Sequence, residues 1–389
     1  MNKKISLGLA ISLIAIACAV TFILTSFFSL QEYNKKAGDV NEKSKKYTAL
    51  QHLDSYVREN YYGEINEDSV NSGILKGYIS GIGDKYSQYL TADEYAEEQN
   101  NNEGSLVGLG LTLAEDESGY IIIKDILPGS PVLEMNVAAG DIITAVNGED
   151  VLSIGFDDSI TAMKGQEGEQ ITLNIRRDGV EKQFTFTRKA IEVTTVTGEM
   201  KSNFIGYIRI AGFKKNTPQQ FIDTLEKLTA NGAKGIIFDL RGNPGGLVSS
   251  LEECLDPLLP EGVIVTAEYK DGHSETVVYS DESELNIPMT VIVDKDTASS
   301  AELFAASLHD FEKAQLVGEK TYGKGVMQTT SAFDNGGAVT LTVAVLRTAK
   351  SETYNNIGLT PDHPIEDDPD TEDDEQYNKA LEVLISEMN

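Results

Sequence analysis

Lys324, framed by two glycines in Thr321-Tyr322-Gly323-Lys324-Gly325-Val326-Met327-Gln328, follows 25 positions after Ser299 in Thr297-Ala298-Ser299-Ser300-Ala301-Glu302. A serine hydroxyl is a weak nucleophile until a base takes its proton. A lysine is that base only where burial lowers its pKa enough to leave the amine neutral. Gly323 and Gly325 let backbone close around the lysine stem, and Gln328 could orient the amine without adding charge, whereas a carboxylate there would hold the lysine protonated. Each piece also has a plain structural reading. Ser299-Ser300-Ala301-Glu302 is a capping box ahead of an apolar helix, and an exposed loop is the usual place for a lysine. The cap does not decide between the two, because the same helix N-terminus offers unpaired N–H groups and partial positive charge to a developing oxyanion.

A third element is Asp239-Leu240-Arg241-Gly242-Asn243-Pro244-Gly245-Gly246, after an apolar strand and before a helix. Glycines at such a turn expose backbone N–H groups that bind phosphate or form half of an oxyanion hole. The run lacks the Gly-Lys-Ser/Thr ending of a P-loop, which argues against nucleotide. The elements that must hold these turns alternate. Strands are expected at 205–210, 235–240, 289–293 and 339–345, and helices at 218–228, 247–259 and 300–311, the order of a layered α/β architecture.

Upstream, residues 104–189 change to short β-type runs punctuated by Pro128-Gly129, Gly140-Asp141, Asn147-Gly148 and Asp178-Gly179. Gly108-Leu109-Gly110-Leu111, followed by Ala138-Ala139-Gly140-Asp141-Ile142-Ile143 and Val146-Asn147-Gly148, resembles a PDZ domain. In that family an extended peptide adds a strand, and the glycine turn holds its terminal carboxylate. Residues 31 to about 45 read as a linker, and Tyr47 to Gln99 as helical, with too small a core to stand alone. That segment is expected to pack on a neighbour or on a second copy of the chain, as in a homodimer.

In this order, the PDZ motif, the Asp239–Gly246 run, the Ser299 and Lys324 runs, and Gly358-Leu359-Thr360-Pro361-Asp362 resemble the carboxy-terminal processing peptidases, or tail-specific proteases, over residues 46–365. The resemblance implies a crotonase/ClpP-like layered α/β protease core with an inserted, mostly β PDZ domain. It implies Ser299 as nucleophile, Lys324 as general base and Gln328 as its orienting partner. The oxyanion hole would be the N–H of Ser300 with that of Gly245 or Gly246, and the substrate carboxylate would meet Gly108, Leu109, Gly110 and Leu111. Two departures stand out. Ser299 and Ser300 are adjacent where the family alternates serine and alanine. Lys164-Gly165 stands where members place an arginine that links peptide binding to activation, and lysine lacks the forked hydrogen bonding.

The whole chain has 389 residues and a formal charge of −30, with 62 acidic against 32 basic residues, which argues against nucleic acid as a partner. No charge interrupts residues 5–30, Lys3 and Lys4 precede them, and an acidic body follows. That run is long enough to span a bilayer, with the N-terminus cytoplasmic and the rest outside. The alternative is a secretion signal cut after Ala15-Ile16-Ala17, which would leave an apolar mature end. Cys254 has no partner outside the anchor, and His52, His273, His309 and His363 lack metal-site spacing, so no cofactor or metal is expected. The expected organisation is an anchor over 1–30, a linker and helical segment over 31–103, the PDZ domain over 104–189, the protease core over 190–365 and an acidic tail over 366–389. Partners would be protein substrates with exposed C-terminal tails. The rivals are an inactive PDZ scaffold and a crotonase-like acyl-transfer enzyme, the latter without any coenzyme A motif.

Overall fold

In the computed structural model, which describes residues 47–281, 283–350, 353–367 and 373–388 together with Thr21, Thr25 and Lys45, the apolar runs of the second half form a six-stranded sheet. Strands Val196–Lys201, Ile205–Ile210, Gly235–Asp239, Met289–Val293, Ala314–Gly318 and His363–Pro364 lie side by side in that order. The first pair is antiparallel and the others are parallel. A parallel sheet is covered on both faces, so its central strands are buried at every position, as Gly235–Asp239 and Met289–Val293 are. Successive side chains point to opposite faces. Ile236, Phe238, Val291 and Val293 therefore join one core with the helices Thr217–Ala230, Val248–Leu255 and Ser300–Asp310. Ile205, Ile237, Ile292 and Val317 join a second core with Ala380, Val383 and Leu384 of the helix Glu375–Met388. The end of the acidic tail is thus a structural layer. The helix expected to run to residue 259 stops at Leu255 and continues as a 3-10 turn, Asp256–Leu258, because Pro257 has no N–H to extend it.

Periodicity does not predict Val196–Lys201, Ala314–Gly318 or His363–Pro364 of that sheet, nor three further strands, Gly262–Tyr269, Ser274–Ser280 and Val326–Ala332. With Ala338–Thr348 and Gln88–Leu90 the latter three form an antiparallel sheet. Val326–Ala332 is largely polar and half exposed, which hides its β character. The 105–192 region carries its own sheet, ordered Leu111–Glu115, Ile121–Ile126, Ile142–Val146, Gln170–Arg177, Val180–Thr187, over a separate core that includes Ile121, Ile143, Val151 and Leu173. This is the β domain expected from its motifs, and it adds the helix Phe156–Met163.

Near the N-terminus, residues 47–60 are helical, and the helix Glu67–Ser80 buries none of its residues. The anchor expected over residues 1–30 lies outside the described residues apart from Thr21 and Thr25. Among the described residues no helix is long and apolar enough to cross a membrane.

Candidate active site

Ser299 sits at the sharp turn between the strand Met289–Val293 and the helix Ser300–Asp310, with φ 56° and ψ −121°. A left-handed φ in a residue with a Cβ costs on the order of 1–3 kcal/mol and persists only where the surroundings hold it. They do. Thr297 Oγ1 donates to Leu240 O at 3.0 Å, Asp294 accepts the Gly242 N–H at 2.9 Å, and Ala298 N donates to Asn243 O at 2.9 Å. The Ser299 turn is thereby locked onto the Asp239–Gly246 turn. Gly245, at φ 94°, makes the approach possible. A Cβ there would lie 2.7 Å from Ala298 O and 2.8 Å from both Ser299 Cβ and Ser300 N.

The adjacent serines are not equivalent. Ser300 is buried and its hydroxyl donates to Gly246 O at 2.8 Å. Ser299 is half-buried, and among the described residues its hydroxyl donates no hydrogen bond. The N–H of Gly245 is engaged by Asn243 Oδ1 at 2.8 Å. That leaves the N–H groups of Gly246 and Ser300, neither of which has an acceptor among the described residues, as the unengaged donors beside Ser299.

Glu302, which sequence reasoning placed only in a helix cap, ties the two chemical turns together. Its side chain is fully buried. Oε2 accepts from Ser299 N at 3.0 Å and Lys324 N at 2.8 Å, while Oε1 accepts from Gly323 N at 2.7 Å and Thr321 Oγ1 at 2.5 Å. One carboxylate therefore spans the 25 residues between serine and lysine. The glycines flanking Lys324 serve the close passage of the 354–358 segment. A Cβ on Gly323 would meet Gly358 N at 2.8 Å, and one on Gly325 would meet Asn355 Cβ at 3.0 Å.

The Lys324 side chain is half-buried. Burial lowers its pKa below the ordinary lysine value, helped by the nearby Lys85 charge and opposed by Tyr322 and Asp84. Its Nζ lies 4.8 Å from the centroid of the Tyr86 ring. Gln328 follows a bulge in the strand Val326–Ala332, the kind of irregularity that re-aims a side chain. Its Nε2 donates to Val326 O and Thr342 Oγ1, both at 3.3 Å. Among the described residues no hydrogen bond joins Lys324 Nζ to Ser299 Oγ or to Gln328. The structure brings the backbones of Ser299 and Lys324 together and leaves the three functional groups unlinked.

The rest of the Asp239–Gly246 run is an anchor. Burial pushes the Asp239 carboxyl up, but Arg241 and the Tyr207 hydroxyl outweigh it and hold the carboxyl below its usual range. Arg241 reaches onward to Asp374 at 2.8 Å. Asp362 in Gly358-Leu359-Thr360-Pro361-Asp362 accepts from Leu316 N at 2.8 Å and meets His309 Nε2 at 3.1 Å, which accounts for that histidine. Among the described residues no cluster of His, Cys, Asp and Glu could hold a metal ion.

In the β domain, Leu111–Glu115 is an edge strand beside the Gly108-Leu109-Gly110-Leu111 turn, where Gly110 has φ 63°. The turn's carbonyls are engaged, Leu109 O by Ser130 Oγ and Gly110 O by Leu127 N. Lys164 Nζ pairs with Glu97 at 3.0 Å, both side chains well exposed, a geometry worth ~0–1 kcal/mol. Beside it, buried Arg188 donates to Met163 O and Lys164 O at the end of the helix Phe156–Met163.

The family model for Peptidase family S41 matches residues 204–365, and that for the PDZ domain matches residues 100–176. The carboxy-terminal processing protease CtpA of Bacillus subtilis (strain 168) is 32% identical over 365 residues, covering 93% of this chain and 77% of that protein. The carboxyl-terminal-processing protease of Synechocystis sp. (strain ATCC 27184 / PCC 6803 / Kazusa) is 30% identical over 323 residues, covering 80% and 76%. Among solved structures, a photosystem II D1 C-terminal processing protease is similar in fold with a TM-score of 0.50 at 23% identity, covering 86% of this chain and 90% of that one.

Proposed function

Because this chain belongs to peptidase family S41, the carboxy-terminal processing serine proteases, we propose that it cleaves proteins by acyl transfer to Ser299, with Lys324 as general base. The observation that carries this reading is the Glu302 carboxylate, which binds the backbone N–H of both residues. Ser300 is set aside because its hydroxyl is held by Gly246 O. For reaction, Lys324 Nζ turns from the Tyr86 ring to Ser299 Oγ and removes its proton as Oγ attacks the scissile carbonyl carbon. The oxyanion is received by the N–H groups of Ser300 and Gly246. The lysine then gives its proton to the leaving amine, and water hydrolyses the acyl-enzyme. Gln328, through its free carbonyl end, steadies the amine.

The same reading extends to recognition and placement. An edge strand beside a glycine turn suits addition of an extended substrate tail, with its carboxylate on the turn's N–H groups. The uncharged run over residues 5–30 suits a single membrane anchor with the catalytic part outside the cytoplasmic membrane. Exposed Leu53, Tyr56 and Val57 in the N-terminal helical segment suit association with a second copy.

Mass spectrometry of an unfolded substrate protein incubated with wild type, Ser299→Ala and Lys324→Ala tests the chemistry. New C-termini are expected with wild type alone. Equal products from all three would overturn it, and absence of cleavage by wild type would favour a PDZ scaffold. Amidating the substrate's C-terminus is expected to slow cleavage, and an unchanged rate would refute tail recognition.

A further inference from the structure

We propose that the turn Asp84 to Ser87, far upstream of the protease core, is a working part of the active site: Asp84 and Tyr86 position the Lys324 amine and, through Thr342, the Gln328 amide. This rests on the reading of Lys324 as the base. The turn is internally fixed, since Asp84 Oδ1 accepts from Tyr86 N at 3.2 Å and Oδ2 from Ser87 Oγ at 2.5 Å. It is stitched to the strand opposite Gln328. Ser87 Oγ accepts from Thr342 N at 3.1 Å, and the strand Gln88–Leu90 continues the pairing, with Gln88 opposite Thr340.

Thr342 also stands opposite Gln328 in the ladder, and its hydroxyl oxygen accepts from Gln328 Nε2. The second acceptor, Val326 O, is a carbonyl and can only accept. Together they fix the amide with nitrogen toward the strand and Oε1 as the free end, the end able to accept from an amine. Burial pushes the Asp84 carboxyl up, but Ser87, Thr342, the Tyr86 N–H and the Lys324 charge outweigh it and hold the carboxyl below its usual range. On the other side of the turn, the Tyr86 ring face meets Lys324 Nζ at 4.8 Å and Lys85 Nζ at 4.7 Å. The Tyr86 hydroxyl is buried with no hydrogen-bond partner among the described residues.

The groups facing the Lys324 amine are therefore Asp84, Lys85 and Tyr86 from the turn and Tyr322 from its own loop, while the Glu302 carboxylate holds its backbone N–H. The Asp84 charge and the aromatic face favour the ammonium, whereas Lys85 and burial favour the neutral amine. A turn that only braced the fold would leave the base's titration untouched.

The experiment is the pH dependence of kcat/KM on an unfolded protein substrate, with the full chain. Removing the Asp84 charge favours the neutral amine, so Asp84→Asn is expected to move the acid limb to lower pH by up to about one unit while plateau kcat falls and KM holds. Thr342→Val keeps a β-branched residue in the strand and provides the second variant. It is expected to lower kcat at unchanged KM and to have no further effect in a Gln328→Ala background. If Lys324→Ala is inactive while the Asp84→Asn limb coincides with wild type, or while Thr342→Val retains full kcat, the inference fails and the base assignment stands. If Lys324→Ala retains wild-type activity, the base assignment fails and takes this inference with it.

Discussion

Replacing Glu302 by glutamine changes one atom and should disable the site. The carboxylate receives four donors, two on each oxygen. An amide keeps one acceptor oxygen and turns an NH2 toward the other pair of donors, so two bonds are lost in a fully buried place. Hydrogen bonds to a charged group contribute about 1.5–3 kcal/mol each, and stranded donors add a desolvation cost. Glu302→Gln is therefore expected to destabilise the protein by about 3–6 kcal/mol in urea unfolding. The kinetic effect is separate, because the lost bonds hold the Ser299 and Lys324 backbones. A displacement of about 1 Å costs roughly 100-fold in rate. Cleavage of an unfolded substrate, measured where the variant is still fully folded, should show that loss in kcat with KM retained. Stability within about 1 kcal/mol of wild type together with kcat within a factor of about three would refute the reasoning.

Gly245→Ala places a Cβ 2.7–2.8 Å from Ala298 O, Ser299 Cβ and Ser300 N at a positive φ. The expected result is a kcat loss of about 100-fold or more, and a wild-type turnover number would exclude the close packing described. The wild-type kcat/KM profile should show an acid limb below the ordinary lysine value near ~10.4, since burial favours the neutral base and activity falls as pH drops through its pKa; a limb at or above that value would contradict this environment. Asp239 is held below the usual carboxylate range, so its contribution to stability is present above the unfolded value near ~3.9 and is lost as pH falls through the folded value. Asp239→Asn should therefore flatten the acid side of the stability–pH curve, and a parallel curve would count against it. Leu384→Ala, in the helix packed on the sheet's second face, should cost about 2–5 kcal/mol in thermal or urea unfolding, and a change under about 0.5 kcal/mol would show that this layer contributes little.

The serine, the lysine and the two glycine turns stand out as candidates in the sequence because nucleophile chemistry restricts residue type, and backbone approach restricts glycine. The central parallel strands Gly235–Asp239 and Met289–Val293 were legible because both faces are buried, so they read as unbroken apolar runs, whereas Ala314–Gly318 beside them was missed. Val326–Ala332 was not legible, because it is polar and half exposed, and its pairing with Ala338–Thr348 is set across a connection rather than by its own pattern. Glu302 was visible only as a cap, since nothing local tells that its oxygens also serve residues 321–324. The Asp84 turn read as a helix break. Gly83-Asp84-Lys85-Tyr86-Ser87 carries the signal of an Asx-type turn, but its target lies more than two hundred residues away and emerges only from strand pairing.

The layer formed by Glu375–Met388 bears on how firmly the two chemical turns are based. Ala380, Val383 and Leu384 close the second face of the sheet over Ile237 and Ile292, and Asp374 at the helix's root is clasped by Arg241, the same guanidinium that grips Asp239. Ile237 and Ile292 belong to the strands from which the glycine turn and the serine turn depart. Prising that helix away would bare both strands from behind, so a disturbance on the far side of the sheet would be felt as play at the nucleophile.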